Sequence, residues 1–133
     1  MKYLIYYLTT LAVCVAVDFI WLSTTASQLY QPVMGDMLAA KPDLAAAAAF
    51  YLLYAAGVTV FVGAPALKTG KWADAPRMGV LFGLFCYMTY DLTNQATLRS
   101  WALQLTLADI AWGMFLTAVS GTAAFFVTHT IAK

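Results

Sequence analysis

The chain contains no glutamate, a single histidine and two cysteines, and only 10% of its residues are charged. An ordinary soluble domain carries roughly 25% charged residues. Each scarcity removes a class of function. A net charge of +1 leaves no basic field for a nucleic acid. The lone His129 stands in the C-terminal tail without a cysteine or acid beside it, so it reads as a solvated residue and not as a metal ligand. No H-E-x-x-H motif and no Cys/His cluster is present, and no metal or cofactor is expected. Cys14 and Cys86 each lie midway along an apolar run, where cysteine packs as a small hydrophobic residue. No nucleophile–base arrangement can be assembled, so no catalytic residue is assigned.

What remains is apolar. Hydrophobic residues make up 63% of the 133, and the mean hydropathy is +0.78. One domain of this length cannot bury so much apolar surface in a fold that faces water. The lipid bilayer is its expected partner. The pattern predicts an all-α integral membrane protein of one domain, residues 1–133. Four transmembrane helices, at about 3–22, 44–67, 76–95 and 103–127, form a compact bundle. A short amphipathic helix at about 29–39 lies at the interface between the first two spans.

The local signals are these. Residues 3–22 are about membrane-spanning length, longer than a signal-peptide core, and are read as a retained first span. Tyr3, Tyr6 and Tyr7 mark one interface and Trp21 the other. In 29–39 the apolar residues come in pairs, Leu29-Tyr30, Val33-Met34 and Met37-Leu38, with Gln31 and Asp36 between them. Asp43 is a helix N-cap, Pro65 and Gly70 end the second span, and Asp74 with Pro76 opens the third. Gly57 and Gly63 permit a homodimer.

Small and polar residues recur every four positions on three spans: Thr10-Cys14-Asp18, Gly79-Gly83-Tyr87-Asp91 and Asp109-Gly113-Thr117-Gly121. Residues four apart share a helix face. Small stripes are how helices pack in lipid, where no hydrophobic force draws them together. Each stripe carries one aspartate, so the acids are expected to face inward. Four spans put both termini on one side with Lys2, Lys68, Lys71, Arg77 and Lys133, against Lys41 and Arg99 on the other. The positive-inside rule makes the termini cytoplasmic. All three acids then fall in the outer half, within roughly 10 Å of the interface at 1.5 Å rise per residue.

An acid inside an apolar helix is costly and calls for a reason. Asp18, Asp91 and Asp109 face one nearby arginine, Arg99, with Lys41 the other cation on that side, so three acids exceed the available positive charge and an acid holds a proton or a cationic group binds. Asp18-x-x-Trp21 and Asp109-x-x-Trp112 echo each other, and tryptophan offers an N–H donor and an aromatic wall for a cation. The expected polar cluster is Asp18, Trp21, Tyr54, Tyr87, Tyr90, Asp91, Asn94, Arg99, Asp109 and Trp112, with Asp91 at its centre. Tyr51 reaches the same level. The favoured function is binding or transport of a small cation, an amine-bearing solute or a lipid headgroup. The alternatives are an enzyme acting on a lipid-linked substrate, and an accessory subunit pairing its acidic stripe with partner helices. Against all three stands a purely structural role, in which the acids only accept bonds from neighbouring donors.

The runs Asp18-Phe19-Ile20-Trp21-Leu22, Phe50-Tyr51-Leu52-Leu53-Tyr54, Tyr90-Asp91-Leu92-Thr93-Asn94-Gln95-Ala96-Thr97-Leu98 and Asp109-Ile110-Ala111-Trp112-Gly113 resemble a bacterial family known as domain of unknown function 2177. The resemblance covers nearly the whole chain. It implies a small four-span protein of the bacterial inner membrane and supplies no activity.

Overall fold

Two prolines govern the helix geometry. Pro32 and Pro65 each lack an N–H, and each ring would collide with the carbonyl four residues before it. The chain answers in the same way both times. A π-helical turn, Ala26–Tyr30 or Thr59–Gly63, ends two residues before the proline, and an α-helical turn resumes around it. The wider turn skips the bond that proline cannot make. Neither proline therefore ends its helix, contrary to the reading of Pro65 as a stop.

The computed structural model describes all residues, 1–133, and is helical throughout. Helix α1 spans Lys2–Thr25 and passes through the first π turn into a short α2, Gln31–Met34, and a 3-10 turn, Gly35–Met37. Ser23, Thr24 and Thr25 do not break α1, because each hydroxyl bonds back to a carbonyl three or four residues earlier. Of the three apolar pairs, Leu29-Tyr30 and Val33-Met34 are half-buried, whereas Met37-Leu38 is exposed together with Gln31 and Asp36, because the helix has given way to the 3-10 turn by Gly35. Helix α3, Leu44–Val58, begins at Asp43, whose carboxylate accepts from the N–H groups of Ala45 (3.0 Å) and Ala46 (3.1 Å). It continues through the second π turn into α4, Ala64–Thr69, and Gly70 closes α4 with a left-handed φ of 70°. Helix α5 is Asp74–Thr97 and α6 is Leu103–Ile131.

Neighbouring stretches alternate in direction. The Tyr6 hydroxyl near the start of α1 donates to the carbonyl of Gly121 near the end of α6 at 2.9 Å, so these helices are antiparallel. Gly79 faces Ala118, and Gly83 faces Gly113, which makes α5 antiparallel to α6 as well. Gly63 lies under the Tyr6 ring and Gly57 under Phe82, so both of these glycines are engaged inside the fold. Helix α6 is the central element, with eleven buried residues and contacts to α1, α5 and the second π turn. A Cβ on Gly83 would collide with the α6 backbone, and one on Gly113 with the Tyr87 ring. Hydrogen at these two positions is what allows the close α5–α6 approach, and dispersion contacts reward it.

By length and composition three stretches can cross a membrane: Lys2–Met37, Leu44–Thr69 and Leu103–Ile131. Helix α5 is not among them, since its second half carries Thr89, Asp91, Thr93, Asn94 and Gln95. Large apolar side chains cover the outside of the assembly, among them Leu4, Leu8, Phe19, Leu53, Phe61, Leu107 and Phe115. Lipid, and not water, is the solvent that such a surface fits.

Candidate functional site

The three four-residue stripes lie inside the assembly, and each brings its aspartate in with it: Asp18 is 7% exposed, Asp91 0% and Asp109 7%. Antiparallel packing places them at one end of the helices. Their surroundings differ sharply.

Asp18 is fully engaged. One carboxylate oxygen accepts the Trp112 indole N–H at 2.9 Å, and the other accepts the Tyr51 hydroxyl in a short hydrogen bond. Asp109 accepts the Tyr30 hydroxyl at 2.6 Å, and the Tyr30 oxygen in turn accepts the Trp21 indole N–H at 2.9 Å. The indole rings of Trp21 and Trp112 stack, with centroids 4.4 Å apart and planes within 6°. The two Asp-x-x-Trp motifs are thus joined crosswise. Trp112 of the second serves the acid of the first directly, and Trp21 of the first serves the acid of the second through Tyr30. Antiparallel α1 and α6 make this exchange possible, because each motif then meets the other at the same level.

Asp91 is different. Neither of its carboxylate oxygens has a hydrogen-bond partner. Asp109, on α6, is the charged group beside it. One turn along α5, the side-chain amide oxygen Oε1 of Gln95 is buried and unpartnered too. A buried carboxylate without donors is expensive. The only ion pair in the chain lies elsewhere, between exposed Arg77 and Asp74 at 3.9 Å.

The remaining expected residues fall around this core. Tyr54 is buried and shares a 2.6 Å hydrogen bond with Thr117 on α6. Tyr87 lies over Gly113, 6.3 Å from Tyr54 between ring centroids. Tyr90 is half exposed and meets Trp101 edge-on at 5.8 Å. Asn94 is half-buried near Tyr90. Arg99 is exposed and lines a separate polar cleft with Gln31, Asp36 and Leu98, which none of the three acids reaches. The expected single cluster is therefore divided: Asp18 with its donors, the Asp91–Asp109 pair, and Arg99 apart from both.

Three features were absent from the expected set. Tyr30 is the partner of Asp109, Tyr51 is the partner of Asp18, and a cavity of about 760 Å³ lies between α3 and α5 with Asp109 in its wall. Phe50, Phe82 and Phe85 line it together with Tyr54, Tyr87 and Tyr90. The level of Tyr51 follows from counting residues along its helix. Tyr30 carries no signal beyond its place in a paired apolar pattern, since its contact with Asp109 spans 79 positions.

Inward acids, a lipid-compatible exterior and helices long enough to cross a bilayer define an integral membrane protein of the all-α class. The chain belongs to DUF2177, a family of predicted membrane proteins, whose model matches residues 3–126. No curated protein and no solved structure matches it.

Proposed function

We propose that this is a bacterial inner-membrane protein that crosses the membrane four times, with both termini cytoplasmic, and binds a small cation or amine-bearing group at Asp91 and Asp109 in exchange for a proton. The observation that carries the reading is Asp91: fully buried, unpartnered at both oxygens, and set against a second carboxylate. With no cation beside it, the repulsion within such a pair is relieved by a proton held between the two acids or by a cationic ligand, each of which lowers its charge from −2 to −1. Ammonium and carboxylate oxygens form strong charge-assisted hydrogen bonds, and the aromatic walls add cation–π attraction.

Several features support four spans in a four-helix bundle. Helix α5 has 24 residues, about 36 Å at 1.5 Å per residue, against a hydrocarbon core of about 30 Å. Its outward face is apolar at Leu81, Phe85 and Leu92, and its polar residues include the inward Asp91 and Gln95. The inward turn of Val33 and Met34 beneath exposed Gln31 and Asp36 supports an interfacial position for 29–39. The bias of five positive charges against two supports cytoplasmic termini. A reporter fused after Lys133 is expected to report the cytoplasm; a periplasmic signal overturns the orientation.

The binding test is a titration of the full chain, in phosphatidylcholine nanodiscs, with butylammonium. Calorimetry in buffers of different ionisation enthalpy is expected to show binding with release of a proton, and Asp91→Asn is expected to abolish the release. The other ionisable groups around the pair are Asp18, Tyr30, Tyr54, Cys86, Tyr87 and Tyr90, so Asp18→Asn, Cys86→Ala and Tyr→Phe variants identify any proton that comes from them. Absence of binding at millimolar concentrations rejects the function.

A further inference from the structure

The cavity beside Asp109 lies between α3 and α5, and part of its aromatic lining is exposed on the outside of the assembly. Helices α3 and α5 meet where Phe82 packs on Gly57 and Phe61, and they separate toward the level of the acids. Phe50 and Phe85 stand at the mouth of this gap, 44% and 55% exposed on the surface that faces lipid. The approach along the helix axis is obstructed. Tyr30 holds the 26–37 segment onto Asp109, and buried Trp101 packs against Tyr90.

We infer that the ligand is a membrane-dissolved amine with a single alkyl chain, entering laterally between α3 and α5 with its ammonium on Asp109 and its chain along Phe50, Phe82 and Phe85. The inference rests on the proposed amine site and adds the class of ligand and its route. Charge and shape both select this occupant. The walls are almost wholly apolar, and the polar end carries the Asp109 carboxylate, with no lysine or arginine to receive a phosphate. A zwitterionic phospholipid would bring an anion to an already negative site, whereas a monoamine brings only positive charge to it. The volume of about 760 Å³ falls in the range that holds one small amphiphile. Asp91, buried, unpartnered and beside Asp109, adds negative charge next to the polar end and so favours a positive group there.

The test is photolabelling of the full chain, in phosphatidylcholine nanodiscs, with dodecylamine that carries a diazirine at the chain end. Peptide mapping is expected to place the label on Phe50, Phe82, Phe85 or Cys86. Excess unlabelled dodecylamine should compete it away, and dodecanol should not. Asp109→Asn is expected to lower labelling about tenfold, the loss of one charge-assisted contact, and circular dichroism of that variant shows whether it stays folded. Should it unfold, the dodecanol comparison on the unmodified chain replaces it. Labelling confined to the 31–37 segment or to the lipid-facing side of α1, or equal competition by dodecanol, overturns the inference. Butylammonium binding with no groove labelling overturns lateral entry alone; absence of both overturns the amine site as well.

Discussion

Asp18 and Asp91 are the same residue type, on neighbouring stripes, at one end of the same assembly. Asp18 receives an indole N–H and a phenol O–H from two different helices. Asp91 receives nothing and faces another carboxylate. Burial alone is therefore a poor guide to purpose here. A buried acid with all its donors joins helices, and the Asp18 clasp ties α1 to α3 and α6. A buried acid with none contributes no bond that could offset its desolvation. The first is what a structural role for all three acids would require, and Asp18 fits it. The second is what such a role leaves unexplained.

Removal of the engaged acid is expected to have the largest effect. Asp18→Leu strands the Trp112 N–H and the Tyr51 hydroxyl in the interior, and loses two bonds to a charged acceptor. The expected cost is about 3 kcal/mol. Reversible unfolding by increasing SDS fraction in mixed micelles measures it. Asp18→Asn keeps an acceptor and should recover part of the loss. A cost below about 0.5 kcal/mol, inside the range of an ordinary surface substitution, would place Asp18 in the same category as Asp91 and erase the comparison.

The complementary change carries the opposite sign. Asp91→Leu removes a carboxyl that has no donor and puts an apolar side chain of similar reach against α6. The expected result is a gain of about 2 kcal/mol in the same unfolding assay, as when a buried ionic group gives way to a hydrophobic one. Butylammonium binding should disappear in the same variant. Stability gained and binding lost together would mark Asp91 as retained for function, in the sense of the trade-off between activity and stability. Stability lost would mean that Asp91 has partners in the bilayer, such as bound water.

The periodicity of four was enough to read which faces turn inward. Thr10, Cys14 and Asp18, then Gly79, Gly83 and Asp91, then Asp109, Gly113, Thr117 and Gly121 are all buried. Helical class and the position of the apolar stretches were legible for the same reason: composition and period report directly on solvent and face. Three things were not legible. Helical continuity past Ser23 depends on hydroxyls bonding back to their own helix, so a polar run that looks like a break is not one. The outward path of Arg99 depends on the direction of a short turn, and hydropathy says nothing about it. The division of labour among the acids depends on Tyr30 and Tyr51, whose contacts come from distant segments set by two π turns and by helix packing. A stripe tells that an aspartate faces in; it does not tell what it meets there.

Tyr30→Phe is the finest probe, because it touches the Asp91–Asp109 pair through the one hydrogen bond that Asp109 accepts. The substitution removes the hydroxyl that donates to Asp109 at 2.6 Å and accepts from Trp21 at 2.9 Å. The expected loss is about 1 kcal/mol, since one part-buried side-chain network is broken and the ring remains in place. The consequence for the acids is more informative than the stability. Asp109 would lose its only hydrogen-bond donor and come to resemble Asp91, while Asp18, which makes no hydrogen bond to Tyr30, would keep both of its donors. A cationic ligand should then bind more tightly, because the bare carboxylate gains more from an ammonium than one already bonded to a phenol. Butylammonium titration of Tyr30→Phe against the unmodified chain measures this, with an expected gain of about threefold, in keeping with a bond of about 0.6 kcal/mol between membrane helices. If affinity falls instead, Tyr30 holds Asp109 in its binding position, and the first π turn belongs to the site as a positioning element and not as a cover.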